Sequence, residues 1–255
     1  MKFDKTIWFK YQYYFFNSIE NIFKMNNSVV PHKLGDKLYF YRFKLLFITL
    51  VLNFFSPQFN DYSLTIIIVK IFVVTLLLLS GANFIPKDKK VLRGSWFIFG
   101  FINIGFSLLQ SLNFEIAGMD YVRYLLLLIF FFVITVNVLQ QIFFISEVTW
   151  DVIIGSFCGY LLIGMISFYL FALIDISIPD SYSGLSYNYN LRVSQLFYFT
   201  FACITTLGIG DIHPLNIINQ KLSVFIAAVG QFYIAIVVAI LVSRYMRSKR
   251  KHEIQ

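Results

Sequence analysis

Long apolar runs leave this chain few choices of fold. They lie at about 38–56, 64–85, 95–112, 121–145, 151–174 and 220–243, and each approaches the ~20 apolar residues that a helix needs to cross a bilayer core. Charged residues make up 13% of the chain, against roughly 25% in soluble domains. The expectation is an all-α membrane protein with six transmembrane helices. The first ten residues carry scattered charges and no continuous apolar core, unlike a cleaved signal peptide.

The net charge of +8 is unevenly distributed. Lysine and arginine collect before residue 45, in 86–93 and in 244–251, whereas Asp61, Glu115, Asp120, Asp175, Asp180 and Asp211 occupy the alternate loops with only Arg123 and Arg192 as basic company. The positive-inside rule then puts both termini in the cytoplasm and demands an even number of crossings, with the plasma membrane as the expected location. A basic tail beside a transmembrane helix has anionic lipid headgroups as its nearer partner, so no nucleic acid is expected.

Residues 1–37 carry Trp8, Tyr11, Phe15, Ile19, Ile22 and Phe23 at near-helical spacing and read as an amphipathic cytoplasmic segment on the membrane surface. Residues 38–145 form a region of four crossings. Lys70 lies near one end of the second crossing, where its long side chain can snorkel. Gly94, Gly100 and Gly105 offer close helix contacts in the third, and Asn137, Gln140 and Gln141 offer amide bridges in the fourth. Glu147 and Asp151 precede the fifth and read as a cap and juxtamembrane pair, with no histidine or nucleophile evident nearby. Cys158 and Cys203 stand singly in apolar surroundings and read as small buried hydrophobes.

Residues 151–245 depart from simple helices. The loop Asp175–Asn190 is rich in Ser, Asn and acidic residues, as in a solvated turret. Residues 193–204 are apolar and aromatic but too short to cross, which suggests a re-entrant helix whose negative dipole end favours a cation. Next comes Thr205-Thr206-Leu207-Gly208-Ile209-Gly210-Asp211. Glycines alternating with larger residues let a backbone turn its carbonyls to one side, and a preceding threonine adds a hydroxyl to the row. That is the chemistry that replaces the water of a desolvated cation. Residues 246–255 form a basic cytoplasmic tail.

The run Thr-Thr-Leu-Gly-Ile-Gly-Asp-Ile-His-Pro resembles the Thr-Thr-Val-Gly-Tyr-Gly-Asp signature of tetrameric potassium channels, and Leu196-Phe-Tyr-Phe-Thr-Phe is similar to their pore helix. The resemblance covers about 151–245. It implies a pore module of outer helix, pore helix, selectivity filter and inner helix. Potassium would be held by the carbonyls of Thr206, Leu207, Gly208 and Ile209 and the Thr206 hydroxyl. One such strand per chain implies a homotetramer. Gly230 stands where related channels carry a gating hinge, although a small residue for helix packing explains it equally well. His213, beside the segment and near Asp211, is a candidate pH sensor, because imidazole changes charge near neutral pH.

Two departures narrow the expectation. Ile209 replaces the usual Tyr or Phe, so no phenolic hydroxyl at that position can brace the filter against the pore helix, and selectivity for potassium over sodium is expected to be reduced. The fourth crossing supplies one arginine, Arg123, where voltage sensing requires several. The expected function is passive potassium conduction without voltage gating and without a cofactor. A weakly selective monovalent cation channel is the alternative. A secondary transporter would need a second broken helix in the first half, which is missing. An intramembrane enzyme would need a cluster that His32, His213 and His252, in three different places outside the crossings, do not supply.

Overall fold

The computed structural model describes residues 41–55, 64–84, 94, 96, 98–102, 105–106, 118–144 and 149–253. The chain divides into two compact units, Met1–Tyr41 and Arg42–Gln255. Of the first only Tyr41 is described, so the account below concerns the second. The amphipathic segment at 1–37, the basic loop at 86–93, most of the crossing at 95–112, Glu147 and the side chain of Lys70 lie outside the described residues.

In chain order the elements are α1 (Arg42–Phe55), α2 (Leu64–Ala82), α3 (Met119–Phe144), α4 (Trp150–Ser177), β1 (Tyr182–Ser183), α5 (Tyr189–Ile204), β2 (His213–Pro214) and α6 (Ile217–Glu253). Among the described residues, Met119–Phe143, Trp150–Ser177 and Ile217–Arg244 are long and apolar enough to cross a membrane. The chain is a helical integral membrane protein. By contrast α5, with 16 residues, rises only ~24 Å and falls short of a ~30 Å hydrocarbon core. The last helix continues through the basic residues to Glu253 rather than ending near 243.

α4 is the hub, in contact with α1, α3, α5 and α6. It is apolar on all sides, as a helix surrounded by others must be. Where neighbours share a lipid solvent, close packing takes over from the hydrophobic effect, and small residues permit it. A Cβ added at Gly155 would lie 2.6 Å from the Phe43 ring of α1, and one at Gly164 would lie 2.6 Å from the Phe201 ring of α5. In the third crossing Gly100 is pressed by Leu78, whereas no described atom lies within 4 Å of a Cβ at Gly94 or Gly105.

α3 places Tyr124, Phe131, Ile134, Val138 and Ile142 in the core at helical spacing and leaves Leu125, Ile129, Phe132 and Val136 exposed on the other side. Among the described residues of α6, Ile226 and Val237 are the apolar side chains buried in one chain, while Val224, Phe225, Phe232, Ile236 and Val242 remain exposed.

The end away from β1 and β2 is tied by polar contacts. Arg244 of α6 donates to the carbonyls of Ile142 (2.9 Å) and Phe143 (2.6 Å) in the last turn of α3, where a cation meets the negative end of the helix dipole. Gln141 donates to the Phe84 carbonyl (3.1 Å) and accepts from Arg42 (2.7 Å), so this amide bridges its neighbours. Asn137 instead bonds to the Val133 carbonyl of its own helix (2.7 Å). Asp151 lies in the first turn of α4, 3.6 Å from Lys44.

Candidate functional site

The segment 205–211 hangs between the C-terminus of α5 and β2. Its scaffold is aromatic. Phe197 of α5 packs edge-on to Phe54 (5.1 Å) and Phe168 (5.4 Å), Phe201 to Phe54 (4.9 Å), and Phe199 against Phe171 (5.2 Å). Each ring pair contributes roughly 0.5–1.5 kcal/mol beyond its burial, so α1 and α4 together fix the axis of α5. The start of α5 is pinned by Arg192, which donates two hydrogen bonds to Asp175 near the end of α4 (2.7 and 2.6 Å). This bidentate bond to the carboxylate raises the already high pKa of the Arg192 guanidinium.

A helix leaves its last four carbonyls without intrahelical partners. Here all four are satisfied by protein. The Phe201 carbonyl accepts from the Thr205 amide (3.1 Å) and the Thr205 hydroxyl (2.6 Å), Ala202 from the Gly208 amide (3.2 Å) and Cys203 from the Thr206 amide (2.9 Å). The Ile204 carbonyl accepts from the Tyr160 hydroxyl of α4 (3.0 Å). Closing the helix this way puts Thr206 at φ 58°, a left-handed conformation that a β-branched residue rarely adopts.

The backbone then alternates. Thr206, Gly208 and Gly210 have φ of 58°, 52° and 86°, while Leu207 and Ile209 stay on the negative side. Alternating left- and right-handed residues is the backbone pattern that can turn successive carbonyls towards one side. Glycine supplies it at two of the three positions at no steric cost. Residues 205–211 are all exposed in the single chain, and nothing lies within 4 Å of a Cβ placed on Gly208 or Gly210.

Both ends of the segment are held. At the first, Gln231 of α6 donates to the Thr206 hydroxyl (3.0 Å), which in turn donates to the Thr205 carbonyl (2.7 Å). Gly230 lets the α6 backbone abut the Ile204 carbonyl, where a Cβ would collide. It sits within an unbroken helix, so the contact actually seen is a close helix approach. At the second end, Asp211 accepts from the Tyr198 hydroxyl of α5 (3.3 Å) and from the Ile212 amide (3.0 Å). Ile209 supplies no phenol to brace the segment against α5. The brace runs the other way, from a tyrosine on α5 to the last residue of the segment.

The loop before α5 is less solvated than its composition suggests. Ser181 and Tyr182 are buried, and β1 pairs antiparallel with β2, setting Ser183 opposite His213 and Tyr182 opposite Pro214. Tyr182 packs edge-on to Phe199 (5.4 Å), and burial holds its phenol well above the usual tyrosine range. Gln195 of α5 accepts from the Ser186 amide (2.7 Å). His213 is exposed, and Cys203 is half-buried on α5.

Thr205 to Asp211 are therefore brought together as one strand, and Gly230 stands beside its beginning. Sequence reasoning missed Tyr160, Tyr198 and Gln231. Their helix positions were legible, but nothing in the sequence says which way these side chains reach.

Residues 132–247 match a family model described as an ion channel. The match takes in the later part of α3, all of α4 and α5, the 205–211 segment and most of α6. No curated protein and no solved structure matches the chain. A short helix leading into a glycine-alternating segment between two long apolar helices is thus what the part of the chain similar to ion channels contains.

Proposed function

We propose that four copies of this chain surround one axis and conduct potassium passively through a filter built from residues 205–211. The observation that carries this reading is the recurrence of left-handed backbone at Thr206, Gly208 and Gly210, in a segment exposed in the single chain. The carbonyls of Thr206, Leu207, Gly208 and Ile209, with the Thr206 hydroxyl, are the ion ligands. One strand cannot enclose a cation. Four can, and α6 supports that closure: only 17% of its membrane-length window is buried in one chain, against 56% for α4.

In this reading the subunit has six crossings, with α5 as a re-entrant helix and the filter facing outward. Both termini are cytoplasmic and the plasma membrane is the location. The basic face at the far end meets anionic headgroups. Across α3 the only arginine is Arg123, and each gating charge contributes ~2.3 kcal/mol per 100 mV. Opening is therefore not steeply voltage-dependent. Gly230 serves as a packing contact, a hinge or both, and His213 as an external pH sensor.

Ile209 favours a second reading within the same class, a weakly selective monovalent cation channel. Its side chain is 58% exposed and carries no hydroxyl. Purified protein in vesicles separates the two. A bi-ionic reversal potential far from zero with potassium against sodium supports the first, and one near zero supports the second. Gly208→Ala forces a side chain onto a left-handed residue at ~1–2 kcal/mol per site, repeated four times around the axis. Its flux should be abolished, and undiminished flux in this variant overturns the filter altogether.

A further inference from the structure

The hydrogen bond from α6 to the beginning of the strand points to a residue that tunes the ion site without being one of its ligands. Gly230 seats α6 directly on the Ile204 carbonyl, and the next side chain, Gln231, lies 3.0 Å from the Thr206 hydroxyl. That hydroxyl gives its only proton to the Thr205 carbonyl at 2.7 Å. Its oxygen is then purely an acceptor, with two lone pairs. The Gln231 carboxamide has only one sensible orientation here, because turning its oxygen towards Thr206 would oppose two acceptors. One lone pair of Thr206 is thereby occupied and one remains.

We infer that Gln231 is a positioning residue for the Thr206 hydroxyl and, through it, a determinant of which cation the inner mouth of the filter accepts. This rests on the filter reading above. Two effects follow from the geometry. The bond fixes the side-chain rotamer of a threonine already held in an unfavourable backbone conformation. It also draws electron density from the Thr206 oxygen, leaving a weaker-field ligand. A weaker field favours the larger, more easily dehydrated cation. Removing the amide frees the hydroxyl to turn and restores its second lone pair, so smaller cations gain.

A double-mutant cycle on Gln231→Leu and Thr206→Val tests this, read as the potassium-to-sodium permeability ratio of the full-length protein in vesicles. Gln231→Leu should lower the ratio by roughly two- to tenfold, the range of one net hydrogen bond. In the Thr206→Val background, which lacks the hydroxyl, the same change should leave the ratio unaltered. An equal effect in both backgrounds, or none in either, overturns the inference. Should Gln231→Leu fail to assemble, Gln231→Asn replaces it: the amide stays in the cavity but falls one methylene short, and the same drop is expected. An unchanged ratio in Gln231→Asn counts against the proposal. Gly208→Ala run alongside separates the two failures. If it still conducts, the filter reading has fallen, and if it is silent while the cycle is additive, only the role of Gln231 has.

Discussion

The two ends of the 205–211 strand are held in different ways. The threonine end is tied into two long helices at once: Gln231 of α6 reaches the Thr206 hydroxyl, Tyr160 of α4 reaches the Ile204 carbonyl, and α6 rests its backbone against that same carbonyl. The aspartate end depends on a 3.3 Å hydrogen bond from Tyr198, a local bond from the Ile212 amide and a pair of two-residue strands. Between them, Leu207 to Gly210 meets little of its own chain. The threonine end is therefore set by the packing of the whole helix bundle. The aspartate end is set by contacts that a local rearrangement can undo.

Of the substitutions at the two ends, Gly230→Ala should produce the largest change. A methyl there meets backbone rather than a yielding side chain, and overpacking of this kind costs ~1–3 kcal/mol. Alanine returns up to ~1 kcal/mol of helix propensity, so the net loss in detergent thermal unfolding should reach up to ~2 kcal/mol. A variant as stable as the parent would mean that the threonine end is not locked as described.

Tyr198→Phe at the other end should leave stability almost untouched. A long hydrogen bond stands at the low end of the ~0.5–1.5 kcal/mol range. The expected outcome is a current that decays about twofold faster during sustained recording. A decay as slow as the parent's would remove the Tyr198 bond as the restraint on that end.

The smallest effect should come from His213→Ala. The residue is exposed and contributes its backbone to the β1–β2 pair, which alanine preserves. Current and stability at neutral pH should match the parent, with the response to external acid reduced. An identical acid titration in the variant removes His213 as the sensor.

The sequence and the structure agree best where one residue type settles the matter. Gly208 and Gly210 turn left-handed, and their spacing marked a backbone able to turn its carbonyls to one side. The helices were visible because a run of apolar residues in lipid has to satisfy its own backbone. Thr206 was harder. Its left-handed backbone arises from the way α5 closes, through bonds from the Thr206 amide to Cys203 and the Gly208 amide to Ala202, and β-branched residues give no warning of that conformation. The burial of Tyr182 was hidden as well. Its neighbours are polar, and only the pairing of β1 with β2, about thirty residues apart in sequence, carries its ring onto Phe199. Contacts made by single side chains across helices, such as Gln231 to Thr206, follow no period and so leave no pattern to read.

The grip of Arg244 on the last turn of α3 has a mechanical side. Two bonds from a guanidinium to carbonyls, each worth ~1.5–3 kcal/mol because the donor is charged, join the helix that supports the segment to α3. α6 is thus held at the middle of its membrane-length span, at Gln231, and at the end of it, at Arg244, like a beam on two supports. Bending it away from the bundle must either drag α3 along or pull Arg244 off its carbonyls. The exposed apolar face of α3, with Leu125, Ile129, Phe132 and Val136, is thereby coupled through Arg244 to the helix that touches Thr206.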